Sequence, residues 1–152
     1  MVDAIVEVFY STPALFIWGA CWGSFLNVVM YRFPRGLSIV YPPSACPGCA
    51  KPIAAYDNIP VMSWFLLRGR CRHCGARFSV RYALTEAVCG GVFASAGALY
   101  PQHWIMGLSL GTALWALVPA IYLLARYKKS PWYLWAVGLG ASLFYAAQIF
   151  EA

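Results

Sequence analysis

The sequence predicts an all-α membrane protein of about four transmembrane helices, with a small cysteine-bearing module between the first and second. Three observations carry this. Of 152 residues, 62% are hydrophobic and only 11% charged, a balance foreign to soluble domains of this length. Apolar stretches long enough to span a bilayer fall at about 14–31, 82–100, 104–124 and 132–150. The basic residues, finally, are segregated. Arg32, Arg35, Lys51, Arg68, Arg70, Arg72, Arg77 and Arg81 lie between the first and second stretches, and Arg126, Lys128 and Lys129 between the third and fourth. By the positive-inside rule both of these loops are cytoplasmic and both termini lie outside. The net charge of +6 is therefore a topology signal first. Nucleic-acid binding is set aside, because no stacking surface with base-reading residues stands out.

The elements follow in order. Residues 1–10, with Asp3 and Glu7, are read as lying at the membrane surface. No basic n-region with a small-residue cleavage site precedes the first helix, so no removable signal peptide is read. Ser11-Thr12-Pro13 is a helix start, a cap followed by proline in the first turn. The first helix then runs to Tyr31. Its Gly19-x-x-x-Gly23 admits the close approach of a neighbouring helix. Asn27 is read either as an interhelical hydrogen-bonding group or as a substrate-binding residue.

Arg32-Phe33-Pro34-Arg35-Gly36 ends that helix and opens a polar module reaching about Arg81. Prolines at 34, 42, 43, 47, 52 and 60 argue against long helices there and for short strands and turns. Inside it, Cys46-Pro-Gly-Cys49 and Cys71-Arg-His-Cys74 are separated by 21 residues. Two such pairs supply the four thiolates that tetrahedral zinc takes at about 2.3 Å. Pro47-Gly48 and Gly75 suit the tight turns that aim both sulfurs of a pair at one ion. Two disulfides would need an oxidising compartment, which a cytoplasmic loop lacks. Four thiolates leave no open position, so the expected Zn2+ is structural and supplies folding energy to a module too small for its own core. Trp64-Phe65-Leu66-Leu67 is too short to span and is expected to pack on the knuckles or dip into the interface.

Three further helices complete a single membrane domain over 1–152, divided as 1–31, 32–81 and 82–152. Cys21 and Cys89 are read as buried small apolar residues. Gly107-x-x-x-Gly111 and Pro119 lie in the third helix, and Trp104, Trp132 and Trp135 sit where interface anchors belong. His103 receives no role, and no internal repeat is read.

Several blocks together resemble the amino-terminal domain of the type IV prepilin peptidases. They are Gly23-Ser-Phe-Leu-Asn-Val-Val-Met-Tyr-Arg-Phe-Pro34, Cys46-Pro-Gly-Cys49, Asp57-Asn-Ile-Pro60, Gly69-Arg-Cys-Arg-His-Cys74 and Ser79-Val-Arg-Tyr82 with Glu86. The resemblance implies a multi-pass protein of the bacterial inner membrane, working on pilin-like transmembrane helices. Members of that family cleave prepilin leaders and then methylate the new N-terminus with S-adenosylmethionine, and the cysteine-rich module is associated with methylation. Their peptidase aspartates find no match here. The stretch Ala120 to Pro131 carries none, and only Asp3 and Asp57 occur in the whole sequence. Two carboxylates sharing a proton activate water in that chemistry, so no aspartyl peptidase activity is expected.

What remains is methyl transfer or none. Asp57 and Glu86 are the cytoplasmic-side carboxylates able to accept a proton or attract a sulfonium. Their structural alternatives are a turn for Asp57, and for Glu86 an ion pair with Arg81, Arg77 or Arg32 or a favourable place in the helix's first turn. Arg70, Arg72 and Arg81 suit a substrate carboxylate or lipid phosphates, with lipid favoured for Arg72 and Arg77. The reading is an N-methyltransferase of pilin-like N-termini. The alternative is a zinc-binding, non-catalytic scaffold or accessory subunit of a larger membrane complex.

Overall fold

The computed structural model describes residues 12–100 and 103–151. The surface segment 1–10, the Ser11 cap and Pro101-Gln102 lie outside the described residues. Four long helices and one short one form the fold, and no β-strand occurs among the described residues. They are α1 (Thr12–Arg32), α2 (Met62–Leu66), α3 (Arg81–Leu99), α4 (Trp104–Tyr127) and α5 (Trp132–Glu151). The segments Thr12–Arg35, Arg81–Leu99 and Trp104–Tyr127 are long and apolar enough to cross a membrane. The helix expected as a fourth span, α5, is 20 residues long and packs on α4.

The long helices pack in chain order, α1 on α3, α3 on α4, α4 on α5. Small residues set the first contact. A Cβ at Gly19 would stand 2.6 Å from the Cys89 carbonyl oxygen, and one at Gly23 2.8 Å from the Glu86 Cα. Gly90 returns the approach, since a Cβ there would meet the Phe16 carbonyl at 2.8 Å. Phe93, Val29, Leu123 and Leu134 are buried at the centre. The indole N–H of Trp115 on α4 donates to the Trp22 carbonyl on α1 at 3.1 Å. Around this core the helices present apolar side chains outward, among them Ile17, Trp18, Val88, Val118 and Ile121. That all-round apolarity belongs to helices solvated by lipid. Cys21, expected to be buried, is exposed on α1. It lies off the Gly19–Gly23 seam, where lipid rather than protein would cover it.

Between α1 and α3 the chain builds a cap. A 3-10 turn at Phe33–Arg35 ends on Gly36, whose φ of 68° closes it. Arg32 then clamps the following loop, its guanidinium donating to the carbonyls of Ser38 and Pro42 at 3.0 and 2.7 Å. The expected short strands reduce to two isolated antiparallel bridges, Ala45 with Pro52 and Arg70 with Arg77. Each tight hairpin between them is filled by cysteines rather than by residues that extend a ladder.

Candidate metal centre and adjoining cavity

Those two hairpins are copies of one another, a local repeat that was not read from the sequence. In the first, Cys46 N donates to Lys51 O at 3.0 Å and Ala50 N to Cys46 O at 2.8 Å. In the second, Cys71 N donates to Ala76 O at 2.8 Å and Gly75 N to Cys71 O at 3.0 Å. Ala50 and Gly75 occupy the same place in each turn and share the left-handed conformation, φ 58° and 72°. Glycine adopts it freely and alanine at some cost.

The repeat brings one ligand atom from each of Cys46, Cys49, Cys71 and Cys74 within 4.8 Å of all the others. Cys46 Sγ and Cys74 Sγ are 3.7 Å apart. A disulfide would hold them near 2.05 Å, whereas a tetrahedron with metal–sulfur bonds of about 2.3 Å has edges of ~3.8 Å. The Gly48 amide also approaches Cys46 Sγ at 3.4 Å. Amides of Cys74 and His73 draw the Cys71 thiol down to about 7, favouring the thiolate a metal needs. The donor set and spacing fit a four-thiolate ion.

Beside this centre lies a cavity of about 680 Å³, bounded by the cap and the cap-side ends of α1 and α3. Its lining includes Ser24, Asn27 and Tyr31 from α1, Glu86 from α3, and Asp57, Ser63, Trp64, Arg70 and Arg77 from the cap. Asn27, Asp57, Glu86 and Arg70, separated along the chain, are thus brought to one half-open cavity. Arg81 does not line it. As the first residue of α3, it stands at the helix's end.

Asn27, Asp57, Glu86 and Ser63 are already engaged by protein partners. Asn27 Nδ2 donates to the Tyr82 carbonyl at 3.1 Å, tying α1 to the first turn of α3. Arg72 Nε and Nη2 grip the Asp57 carboxylate from two sides, Nε at 2.9 Å from Oδ2 and Nη2 at 2.6 Å from Oδ1. The Asp57 side chain is 8% exposed and that of Arg72 52%. Arg72, read as a lipid-phosphate ligand, is thus paired within the cap. Its guanidinium grips the cap's own carboxylate while half of the side chain stays exposed.

Glu86 likewise makes none of the arginine pairs considered for it. Its Oε2 accepts the Val61 N–H at 2.7 Å. The reason lies in the backbone. Val61 sits at φ 64° and ψ −56°, and Met62 N donates back to Pro60 O at 2.6 Å. This is the rare γ-turn with positive φ, strained for a β-branched residue by about 1–3 kcal/mol. It leaves the Val61 N–H outside the turn, where a carboxylate takes it. Ser63 completes the loop, its hydroxyl accepting from Ile59 N at 2.9 Å and donating to the Tyr56 carbonyl at 3.3 Å. Neither Val61 nor Ser63 was singled out in the sequence, because only tertiary contacts reveal them.

The hydrogen bonds from Arg72, ahead of its charge, hold the Asp57 carboxyl below its ordinary value of 3.8. A depressed folded-state pKa stabilises the fold above the ordinary value and loses that contribution as pH falls through the lowered one. The pair should thus persist at pH 3.8 and dissolve only at stronger acid. Carbon-13 titration of the aspartate carboxyls is tractable, with only Asp3 and Asp57 present. Arg72→Gln should move the lower midpoint up towards 3.8, and an unmoved midpoint would break the assignment.

The chain matches the bacterial peptidase A24 N-terminal domain over residues 17–100. Among curated relatives it is similar to a prepilin leader peptidase/N-methyltransferase of Myxococcus xanthus (strain DK1622), 54% identical over 79 residues, which covers 52% of this chain and 24% of that protein. It is 34% identical over 129 residues to a protein of the same name from Neisseria gonorrhoeae, covering 69% and 45% respectively. To a type 4 prepilin-like proteins leader peptide-processing enzyme of Escherichia coli O78:H11 it is 32% identical over 141 residues, covering 77% and 52%. The chain thus spans between about a quarter and a half of the length of these relatives. No solved structure matches it.

Proposed function

This chain belongs to the family of the bacterial peptidase A24 N-terminal domain, and from that premise we propose that it is the methyl-transfer part of prepilin processing, without peptidase activity. It would act on the N-termini of pilin-like helices from a multi-pass position in the inner membrane, with the cap cytoplasmic, both termini outside and zinc on the four cysteines. The observation that carries the reading is the cavity. Ser24 lies eight residues, and Asn27 five, before the helix end at Arg32. At 1.5 Å per residue the cavity floor is roughly 7–12 Å below that end. A site at that depth suits the N-terminus of a membrane-embedded helix better than a soluble substrate.

Its volume also lies within the roughly 300–1,000 Å³ of small-molecule sites. When bound there, S-adenosylmethionine would supply the electrophilic methyl group. The protein's share is positioning, which suffices for in-line transfer to an amine. Asp57, kept anionic by Arg72, is too weak a base to take the proton, and that guanidinium already balances its charge. The acceptor α-amine, with an ordinary pKa near 8, already presents some neutral form at physiological pH. Glu86 fixes the loop that carries Asp57 and Ser63. Among the described residues Asp57 is the one aspartate, and its partner is Arg72 rather than a second carboxyl.

A second reading, a non-catalytic scaffold or accessory subunit of a larger membrane complex, is favoured by one fact. Both cavity carboxylates are satisfied by protein partners. Methyl transfer from labelled S-adenosylmethionine to a cleaved pilin-like peptide, by the chain in lipid, separates the two. Transfer is expected, and Glu86→Gln should lower it by about 10²-fold through misplacement of the cavity wall. No transfer from metal-loaded protein would leave the scaffold.

A further inference from the structure

We propose that α2 is an interfacial helix, seated with Met62, Phe65 and Leu66 in the lipid headgroup and upper acyl region on the cap's side of the membrane. A helix of a water-exposed cap should bury its apolar side chains and present its polar ones. This one does the reverse. Ser63 is 7% exposed, whereas Met62, Phe65 and Leu66 are 59%, 64% and 73% exposed. Trp64 turns inward, its indole donating to the Phe78 carbonyl at 3.3 Å. Three large apolar side chains on five residues are left to the surroundings.

The tether to α3 says what those surroundings are. Val61, immediately before α2, is bound to Glu86. Glu86 is five residues inside a helix that is long and apolar enough to span a bilayer, about 7.5 Å beyond Arg81 at 1.5 Å per residue. Its side chain leans back towards the helix start, so the tether point lies at or just below the level of Arg81. At its middle α2 is held by Trp64 to Phe78, three residues before that helix begins. The short helix is therefore fixed at its start and its middle to the stretch where α3 would pass from headgroups into acyl chains. Leu84 and Val88 on α3, and Val80 just before it, are exposed along the start of that helix. Basic residues that prefer the headgroup layer, Arg68 and Arg81, follow α2 and open α3. Apolar exposure, depth and charge agree on a bilayer as the occupant, rather than a protein groove.

The consequence reaches the cavity, because the Val61 turn and Ser63 belong both to its wall loop and to α2. Hydroxyl-radical footprinting read by mass spectrometry tests the proposal on the whole chain in lipid nanodiscs holding one copy each. Each residue is referenced to its own rate in the unfolded digest. Tyr56, 66% exposed beside Arg72, should be modified nearly as in the digest. Met62 and Phe65 should be protected about tenfold, as side chains removed from water by insertion. Modification of Met62 and Phe65 at the Tyr56 level would overturn the proposal. So would protection that appears only in discs holding two copies, since the occupant would then be a second chain.

Discussion

Cys71→Ser is expected to abolish metal binding and to unfold the cap while the long helices remain. The cap has almost nothing else to fold around. Over residues 33–80 its buried side chains are Cys46, Cys71 and Ser63, with no large hydrophobe among them. The two hairpins contribute one bridge each and no sheet. Backbone ordering costs on the order of 1–2 kcal/mol per residue, and a segment of this size without a core cannot meet it from turns alone. Apparent zinc affinities of structural sites are about 10–16 kcal/mol at neutral pH, so an ion held by the four cysteines would be the cap's main source of stability. Metal analysis should return one equivalent for the wild-type chain and none for Cys71→Ser. Limited proteolysis should then cut within 33–80 and spare α3 and α4. A wild-type chain free of metal, with all four thiols open to alkylation, would end this account.

The same contrast explains what the sequence discloses. Helices solvated by lipid are legible because composition alone specifies them. The apolar runs place α1, α3, α4 and α5 within a few residues of their positions. The four cysteines are legible because a metal constrains spacing as well as residue type. The cap's remaining geometry is not written locally. Arg72 reads as a surface cation until the fold places the Asp57 carboxylate against it, across 15 positions. Glu86 reads as an arginine partner until the Val61 turn presents an unclaimed N–H. The hairpin repeat was within reach, as Ala45–Pro52 and Arg70–Arg77 share the cysteine pair and bridge ends, but only the cysteines are identical. Cys21 marks a different limit. In a membrane helix, apolar character does not tell which face meets protein and which meets lipid.

The face is told by glycine, and there the structure makes its other large prediction. Gly23→Leu should separate α1 from α3, whereas Gly91→Ala, one residue from the seam glycine Gly90, should be tolerated. A Cβ at Gly23 meets the Glu86 Cα at 2.8 Å, the Cys89 Cβ at 2.9 Å and the Thr85 carbonyl at 3.0 Å. Two of these are backbone atoms that cannot swing aside, so the helices themselves must part. Overpacking of this kind costs about 1–3 kcal/mol or more, and here it acts on the contact that shapes the cavity. Parting α1 from α3 draws Asn27 from the Tyr82 carbonyl and moves Glu86 relative to α1. Gly91 has nothing within 4 Å of an added Cβ, and alanine in a helix is favoured over glycine by about 0.5–1 kcal/mol. Unfolding titrations in bicelles should therefore move in opposite directions for the two variants. Methyl transfer should fall with Gly23→Leu and hold with Gly91→Ala. A Gly23→Leu chain as stable as wild type would mean that α1 and α3 do not meet along this seam.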